Sequence, residues 1–358
     1  MDLPELRTAI DGIDDEILRL LNQRAKLVGE VAALKERLQV PFYVPSRERA
    51  IVERLAAANA GPFPSEAIRP VFQEIFSACL SLEKTVRVAY LGPEATFAHM
   101  AVKRQFGLSA RAIPMGTIAG VFDEVARGLA DFGVVPVENS TEGVVNHTLD
   151  TFLVSELKIS AEIVLVVDQC LLVRAGLELG AIERVYSHPQ GLAQCRRWLS
   201  ANLPRAALVE APSTAEAARL ARDDGRGAAV ASELAGKLFE LTVARRGIAD
   251  VAQNVTRFLV VGTQQADPTG RDRTSVLLEL GDEPGVLYRV LEPLARHGLN
   301  LSKIESRPSR RRPWEYVFFI DIDGHQRDAR VAGAIEEVGR SCSALKVLGS
   351  YPRAEANP

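Results

Sequence analysis

The stretch VRVAYLGPEATFAH (86–99) carries an apolar strand into a Gly-Pro turn and on into a helix, and the same grammar returns at DFGVVPV (131–137) and ERVYSH (183–188), while GAAVAS (227–232) is a similar apolar strand without an evident turn after it. Short apolar strands alternating with helices read as an α/β domain with a largely parallel sheet. Sheets of that kind bind ligands beyond the carboxyl ends of their strands, where helix N-termini offer backbone N–H groups to an anion. Four junctions therefore matter: LGPEATFAH (91–99), VPVENSTEGVV (135–145), YSHPQGLAQC (186–195) and EAPSTAEAA (210–218). Pro93 and Pro189 suit a first helical turn, where no N–H is needed. Ser213 with Glu216 three residues on makes a capping box, and any single junction taken alone reads as a helix cap.

Residues 1 to about 85 follow a different pattern. Leu6, Ile10, Ile13, Ile17, Leu20, Leu27, Val31, Leu34 and Leu38 keep a 3-4 spacing, which predicts one long helix with a continuous apolar seam. PFYVP (41–45) ends it; a second helix is expected over about Arg47–Ala58 and a third, after GPFP (61–64), over Ser65–Glu83. Three helices bury so long a seam poorly, so a dimer packed through the long helices is expected. Arg24 takes a place the seam would otherwise give to Leu or Ile, and Lys35 lies about 20° from the same face at about 100° per residue. Inward cations need anions. Glu48 or another acid pairs with them, or their stems snorkel to water. Arg7 faces about a quarter-turn away and could reach across a dimer seam.

Past the middle segment, QQADPTGRDR (264–273) is a polar linker. TSVLLEL, a helix around Leu287–His297, NLSKIESRP, EYVFFIDID, a helix near Asp328–Arg340 and ALKVLGSY follow in βαββαβ order, a ferredoxin-like module.

Composition narrows the class. The 358 residues carry a formal net charge of −3 with no basic stripe, so nucleic acid is not an expected partner. The four cysteines are far apart and the five histidines scattered, which predicts reduced thiols and no metal; no cofactor is expected either. An acidic, amphipathic N-terminus is no signal peptide, and no apolar run approaches the roughly 20 residues of a membrane span. A cytoplasmic protein without membrane contact is expected.

LRTAIDGIDDEILRLLNQRAKLVGEVAALK (6–35) followed by VPSRERAIVERL (44–55) resembles the all-helical chorismate mutase family. By that resemblance an intertwined dimer would hold chorismate between Arg24, Lys35 and Arg47, with Glu48 orienting a hydroxyl and Arg7 entering the neighbouring chain's site. Val44 stands where relatives often carry an acid. Glu83 stands where some place a glutamine against the ether oxygen, and it could donate a hydrogen bond there only when protonated.

GPEATF, PVENSTEG, SHPQGLAQC and above all NVTRFLVVG (254–262) resemble the prephenate dehydratase family. The resemblance implies two lobes like a type II periplasmic-binding protein, with prephenate in the cleft. Thr256 would act on the leaving hydroxyl, and Asn139, Ser140, Thr141, Gln190, Ser213, Thr214 and Asn254 would line the site. Ala95 replaces a frequent glycine and is taken to exclude a left-handed turn. His188 is expected to orient the helix start and His147 to be structural.

PGVLYRVLEPLARHGLNLSKIESRP (284–308) resembles the ACT regulatory domain. Gly285, Val286 and Leu287, with a bulky Tyr288, and Glu305, Ser306 and Arg307 before Pro308 would bind L-phenylalanine as a feedback inhibitor. The expected chain is multidomain: an all-α helical mutase domain (1–85), an α/β two-lobed dehydratase domain (86–264) and an α+β ferredoxin-like ACT domain (274–350), assembled as a homodimer or homotetramer. The same residues also admit two other readings: a non-catalytic amino-acid or anion sensor, and a dehydratase whose helical segment is only a dimerisation arm.

Overall fold

The computed structural model describes residues 2–38, 40, 42–251, 254–281, 283–309 and 316–354; Pro41 of the expected helix break and Glu315 of an expected strand lie outside them. The chain forms two compact units, one of residues 1–87 with 103–111, the other of 88–102 with 112–358.

The first unit contains α1 (Leu3–Leu38), α2 (Pro45–Ala58) and α3 (Ser65–Glu83). α2 starts two residues before the predicted Arg47, because Pro45 pre-sets the first-turn φ. α1 runs 36 residues, about 54 Å at 1.5 Å per residue. It buries no residue: the nine seam positions from Leu6 to Leu38 stay 43–60 % exposed. The half-buried face of α1 is instead the one bearing Arg24 and Lys35.

Among the described residues the second unit holds three sheets, although the ends of lobe one's β1, α4 and β2 (Arg87, 103–106 and Arg111) group with the first unit. Lobe one comprises β1 (Arg87–Leu91), α4 (Phe97–Phe106), β2 (Arg111–Met115), α5 (Ile118–Ala126), β3 (Phe132–Asn139), β4 (Gly143–Val144), α6 (Asn146–Phe152) and β5 (Lys158–Val166). Lobe two comprises β6 (Cys170–Val173), β7 (Arg184–Ser187), α7 (Pro189–Gln194), α8 (Arg196–Asn202), β8 (Ala207–Glu210), α9 (Thr214–Asp223), β9 (Gly227–Ala231), α10 (Glu233–Leu238) and β10 (Thr242–Arg245). The chain then returns to lobe one as β11 (Val255–Gly262), between β3 and β5 in the order β2-β1-β3-β11-β5, with β4 on β3. Lobe two has the order β10-β6-β9-β7-β8.

Both sheets are mixed rather than largely parallel. β1 runs parallel to β3, and β7 parallel to β8 and β9. β11 is antiparallel to both its neighbours, since a strand arriving from the other lobe enters the sheet from the opposite end.

The first junction also departs from expectation. α4 begins at Phe97, four residues past Pro93, so that proline is not in its first turn. Ala95 is fully buried at φ 63°, the left-handed conformation it was expected to exclude. That conformation costs a residue with a Cβ about 1–2 kcal/mol. The methyl packs in a small-residue core with Ala211, Ala215 and Ala217, which offsets part of the cost. Ser232 Oγ donates to the Ala95 carbonyl at 3.0 Å, tying the turn to lobe two.

The third sheet has β12 (Asp272–Leu280), β13 (Leu301–Pro308), β14 (Tyr316–Asp323) and β15 (Ala344–Pro352) in the antiparallel order β13-β14-β12-β15, with α11 (Val286–Arg296) and α12 (Ala329–Arg340). Alternation along β12 gives it two buried faces. Val276 and Leu278 pack with Val290 and Leu294 of α11, while Leu277 joins the core of lobe one.

β15 comes so close to β5 that a Cβ on Gly349 would overlap the Ile159 carbonyl oxygen and lie 2.8 Å from its nitrogen. Backbone cannot yield as a side-chain end can. Gly349→Ala should therefore lower stability by about 1–3 kcal/mol, as overpacking does. A melting temperature equal to that of the unsubstituted protein would contradict this contact.

Candidate active sites

In the helical unit, Arg24 lies with its guanidinium 5.2 Å from the Phe76 ring centroid, and its Nη1 is buried without a partner among the described residues. Lys35 donates to the Phe42 carbonyl at 2.8 Å and stands 4.0 Å from Glu83, whose side chain is 7 % exposed. The same Glu83 oxygen, Oε2, is buried without a hydrogen-bond partner among the described residues. Burial raises the Glu83 carboxyl above its ordinary range, opposed by Lys35. Burial also pushes Glu48 up to about 7, against a hydrogen bond from Gln73 and the charges of Arg24 and Lys35.

Arg24, Lys35, Glu48 and Glu83 thus share one neighbourhood, with a polar atom of Arg24 and one of Glu83 buried without a partner among the described residues. Arg47 sits exposed in the first turn of α2, and Val44 precedes that helix without a side-chain cap. Arg7 is exposed and 17 residues before Arg24 on the same helix, about 25 Å along the axis.

In the second unit the β3 and β11 ends meet in register, Asn139 opposite Thr256. Asn139 Nδ2 donates to Asn254 Oδ1 at 2.7 Å and to Thr256 Oγ1 at 2.8 Å. Its Oδ1 accepts from the backbone N–H groups of Thr141 and Glu142 at 2.9 and 3.0 Å. Those backbone donors fix which way the Asn139 amide points, and that in turn fixes the rest. Thr256 Oγ1 is an acceptor in its bond with Asn139, so its own proton remains to be donated elsewhere. Ser140 braces the pair: its Oγ accepts from Val255 N–H at 2.9 Å, and its N–H donates to the Val255 carbonyl.

Gln190, Ser213 and Thr214 begin lobe-two helices. Ser213 Oγ caps α9 by accepting from Glu216 N–H at 3.0 Å, but the Glu216 carboxylate pairs with Arg219 rather than reaching back, so the capping box is half-formed. His188 accepts from Gln190 N–H and caps α7, an orienting position. His147 lies in α6 beside a cavity of about 1120 Å³ along α5 and α6 that contains none of the Asn139 cluster.

The ligand positions anticipated for the third sheet fall on two elements. Gly285, at φ 76°, precedes α11, where a left-handed turn favours glycine. Val286 and Leu287 are half-buried and Tyr288 is 70 % exposed. Glu305, Ser306 and Arg307 lie on β13. Arg307 turns toward lobe one, pairing with Asp150 of α6 at 3.1 Å, and Lys303 pairs with Glu138 at 3.0 Å.

Two features escaped the sequence reading. Arg257, next to Thr256, points to the opposite face of β11 and reaches Glu162 at 2.7 Å, Asp321 at 2.6 Å and Tyr351 Oη at 2.9 Å. Its partners lie 64 to 95 residues away in sequence, so no local motif announces them. Beside Asn254, a cavity of about 320 Å³ is lined by Thr141, Gln194, Arg196 and Arg197. The arginine pair follows QC in one of the junctions and could have been found by extending it two residues.

Comparison with known proteins fits this arrangement. Family models match at residues 6–84 (chorismate mutase type II), 88–266 (prephenate dehydratase) and 274–340 (ACT domain). The chain is 50 % identical over 357 residues to the bifunctional chorismate mutase/prephenate dehydratase of Aquifex aeolicus, covering 99 % of this chain and 98 % of that one. It is 44 % identical to the Stutzerimonas stutzeri protein of the same description, covering 98 % of each. Among solved structures, the prephenate dehydratase of Arthrobacter aurescens in complex with L-Phe superposes with a TM-score of 0.70 at 37 % identity, covering 76 % of this chain and 92 % of that one.

Proposed function

The chain belongs to the bifunctional chorismate mutase/prephenate dehydratase family, and we propose that its two clusters divide that work as follows. The helical cluster converts chorismate to prephenate. A Claisen rearrangement needs no nucleophile and no cofactor; it needs the chair conformer held and negative charge on the breaking ether oxygen stabilised. Arg24, Lys35 and Arg47 would grip the carboxylates, Glu48 the hydroxyl, and a protonated Glu83 would donate to the ether oxygen beside Lys35. Arg7 would come from a second chain, whose long helix would cover the exposed seam of α1, making the working enzyme at least a homodimer.

The cleft cluster takes prephenate to phenylpyruvate. The ring–carboxylate bond breaks, its electron pair enters the ring, and the C–O bond opposite breaks as hydroxide leaves with a proton to become water. Aromatisation drives the step, so the protein's task is to help hydroxide depart. The observation that carries this reading is the Asn139–Thr256 bond: it orients the threonine hydroxyl as a donor, with Asn139 held by backbone N–H groups. Thr256, a weak acid, polarises the leaving oxygen or relays a proton.

The third sheet would bind L-phenylalanine at Gly285–Leu287 and Glu305–Arg307 and lower dehydratase turnover. The L-Phe complex of the Arthrobacter aurescens relative supports that effector. No described helix is long and apolar enough to cross a membrane, in keeping with a cytoplasmic biosynthetic enzyme.

Three outcomes test these assignments. Thr256→Val should lower dehydratase kcat by about 10²-fold or more while mutase turnover persists; near-full dehydratase turnover would remove Thr256 from the mechanism. Mutase activity should be greatest where Glu83 is protonated and fall as pH climbs through its raised pKa. Glu83→Gln, which donates at every pH, should flatten that fall, and a flat unsubstituted profile would sink the role. Arg7→Ala and Arg24→Ala should each abolish mutase activity, yet re-equilibrated as an equal mixture they should recover about a quarter of it, because half the dimers then hold one intact composite site. No recovery would mean that each chain builds its own site.

A further inference from the structure

Prephenate is a dicarboxylate whose two acids have different fates. The ring carboxylate leaves as CO₂; the pyruvyl carboxylate stays charged from substrate to product. The four strand-to-helix junctions that frame the cleft contain no lysine or arginine. Arg257, adjacent in sequence to Thr256, is engaged by Glu162, Asp321 and Tyr351 on the far face of its strand.

Arg196 and Arg197 are the cations that line the cavity beside Asn254. Two acids line the same wall, and both have other partners. Asp250 accepts the backbone N–H groups of Arg197 and Trp198 at 2.8 and 3.0 Å, and Glu142 accepts from Gln194 Nε2 at 3.4 Å. Asn254 adds an independent sign. Its Oδ1 is turned to Asn139 Nδ2, so its own Nδ2 points elsewhere, and that nitrogen is buried with no acceptor among the described residues. An amide donor without an acceptor among the described residues and two arginines lining the same cavity suit a carboxylate.

We propose that Arg196, Arg197 and Asn254 Nδ2 form the subsite that holds the pyruvyl carboxylate of prephenate; the proposal rests on the dehydratase reading of the cleft. The pyruvyl end is assigned because pairing the ring carboxylate with guanidinium would stabilise the very charge that decarboxylation removes. A group whose charge does not change contributes equally to substrate and transition state, so its cations govern binding more than turnover.

The test uses the full-length enzyme with both exposed arginines neutralised, Arg196→Gln with Arg197→Gln. Prephenate KM should rise about tenfold or more with kcat within about threefold, the signature of lost uniform binding. Competitive inhibition by phenylpyruvate, which keeps the same carboxylate, should weaken by a similar factor. Arg196→Lys with Arg197→Lys should recover part of the affinity, and mutase turnover of the same polypeptide reports that the chain is folded. A KM within about twofold of the unsubstituted value, or a fall in kcat with KM unmoved, would overturn the assignment. Failure of the underlying reading would show differently, as dehydratase turnover that survives Thr256→Val.

Discussion

Arg257 is a cation 12 % exposed, held between Glu162, 1 % exposed, and Asp321, 9 % exposed. Glu162 also accepts from Arg273 at 2.6 Å and from the Ala354 N–H, while Tyr351 bonds Ser275. Charges so far from water are tolerated only when each is paired and hydrogen-bonded, and removing one partner leaves the other buried and uncompensated. The cluster joins β5 and β11 of lobe one to β12, β14 and β15 of the regulatory sheet. The two sheets therefore share apolar contacts and also a set of bonds that must be satisfied together. The aliphatic neighbours Leu277, Val317, Phe319 and Leu348 pack in one core with lobe one, so the joint excludes water from those charges.

The alternation of side chains along β11 makes this joint relevant to chemistry. Thr256 faces Asn139; one residue on, Arg257 faces the regulatory sheet. On β3 the pattern repeats, with Asn139 toward Thr256 and Glu138 toward Lys303. Each member of the hydrogen-bonded pair is thus one peptide unit from an ion pair with the C-terminal module, the kind of contiguous connection through which binding at one site can bias another.

Much of this was legible in the sequence because it is local. The 3-4 seam gave α1, and apolar strands before polar turns gave the two lobes. The βαββαβ order gave the third sheet, and the amide and hydroxyl residues of ENST and NVT do gather in space. What the sequence hid is what depends on distant partners. β11 could be seen as a strand, but not as one inserted between β3 and β5, which is why a largely parallel sheet was expected. Ala95 was taken to forbid a left-handed turn. A small-residue core contributed by lobe two helps accommodate it there. Arg257 was visible within its motif, but its acids come from elements far along the chain. The exposure of the α1 seam shows the limit from the other side: the 3-4 pattern marks the helix, but the described residues of this chain do not bury it.

The return of β11 to lobe one makes lobe two an insertion within another sheet. During synthesis β3 and β5 emerge first and must wait, with unpaired edges, for the strand that belongs between them. Lobe two is built from one continuous run, so its sheet can close as soon as β10 is complete. The inner lobe is therefore able to fold before the outer one that precedes it in sequence, and long-range pairing of this kind is intrinsically slow. Thr256, proposed to act on the leaving hydroxyl, sits on the last strand to arrive, so a chain released before β11 would have most of the architecture of lobe one without that hydroxyl.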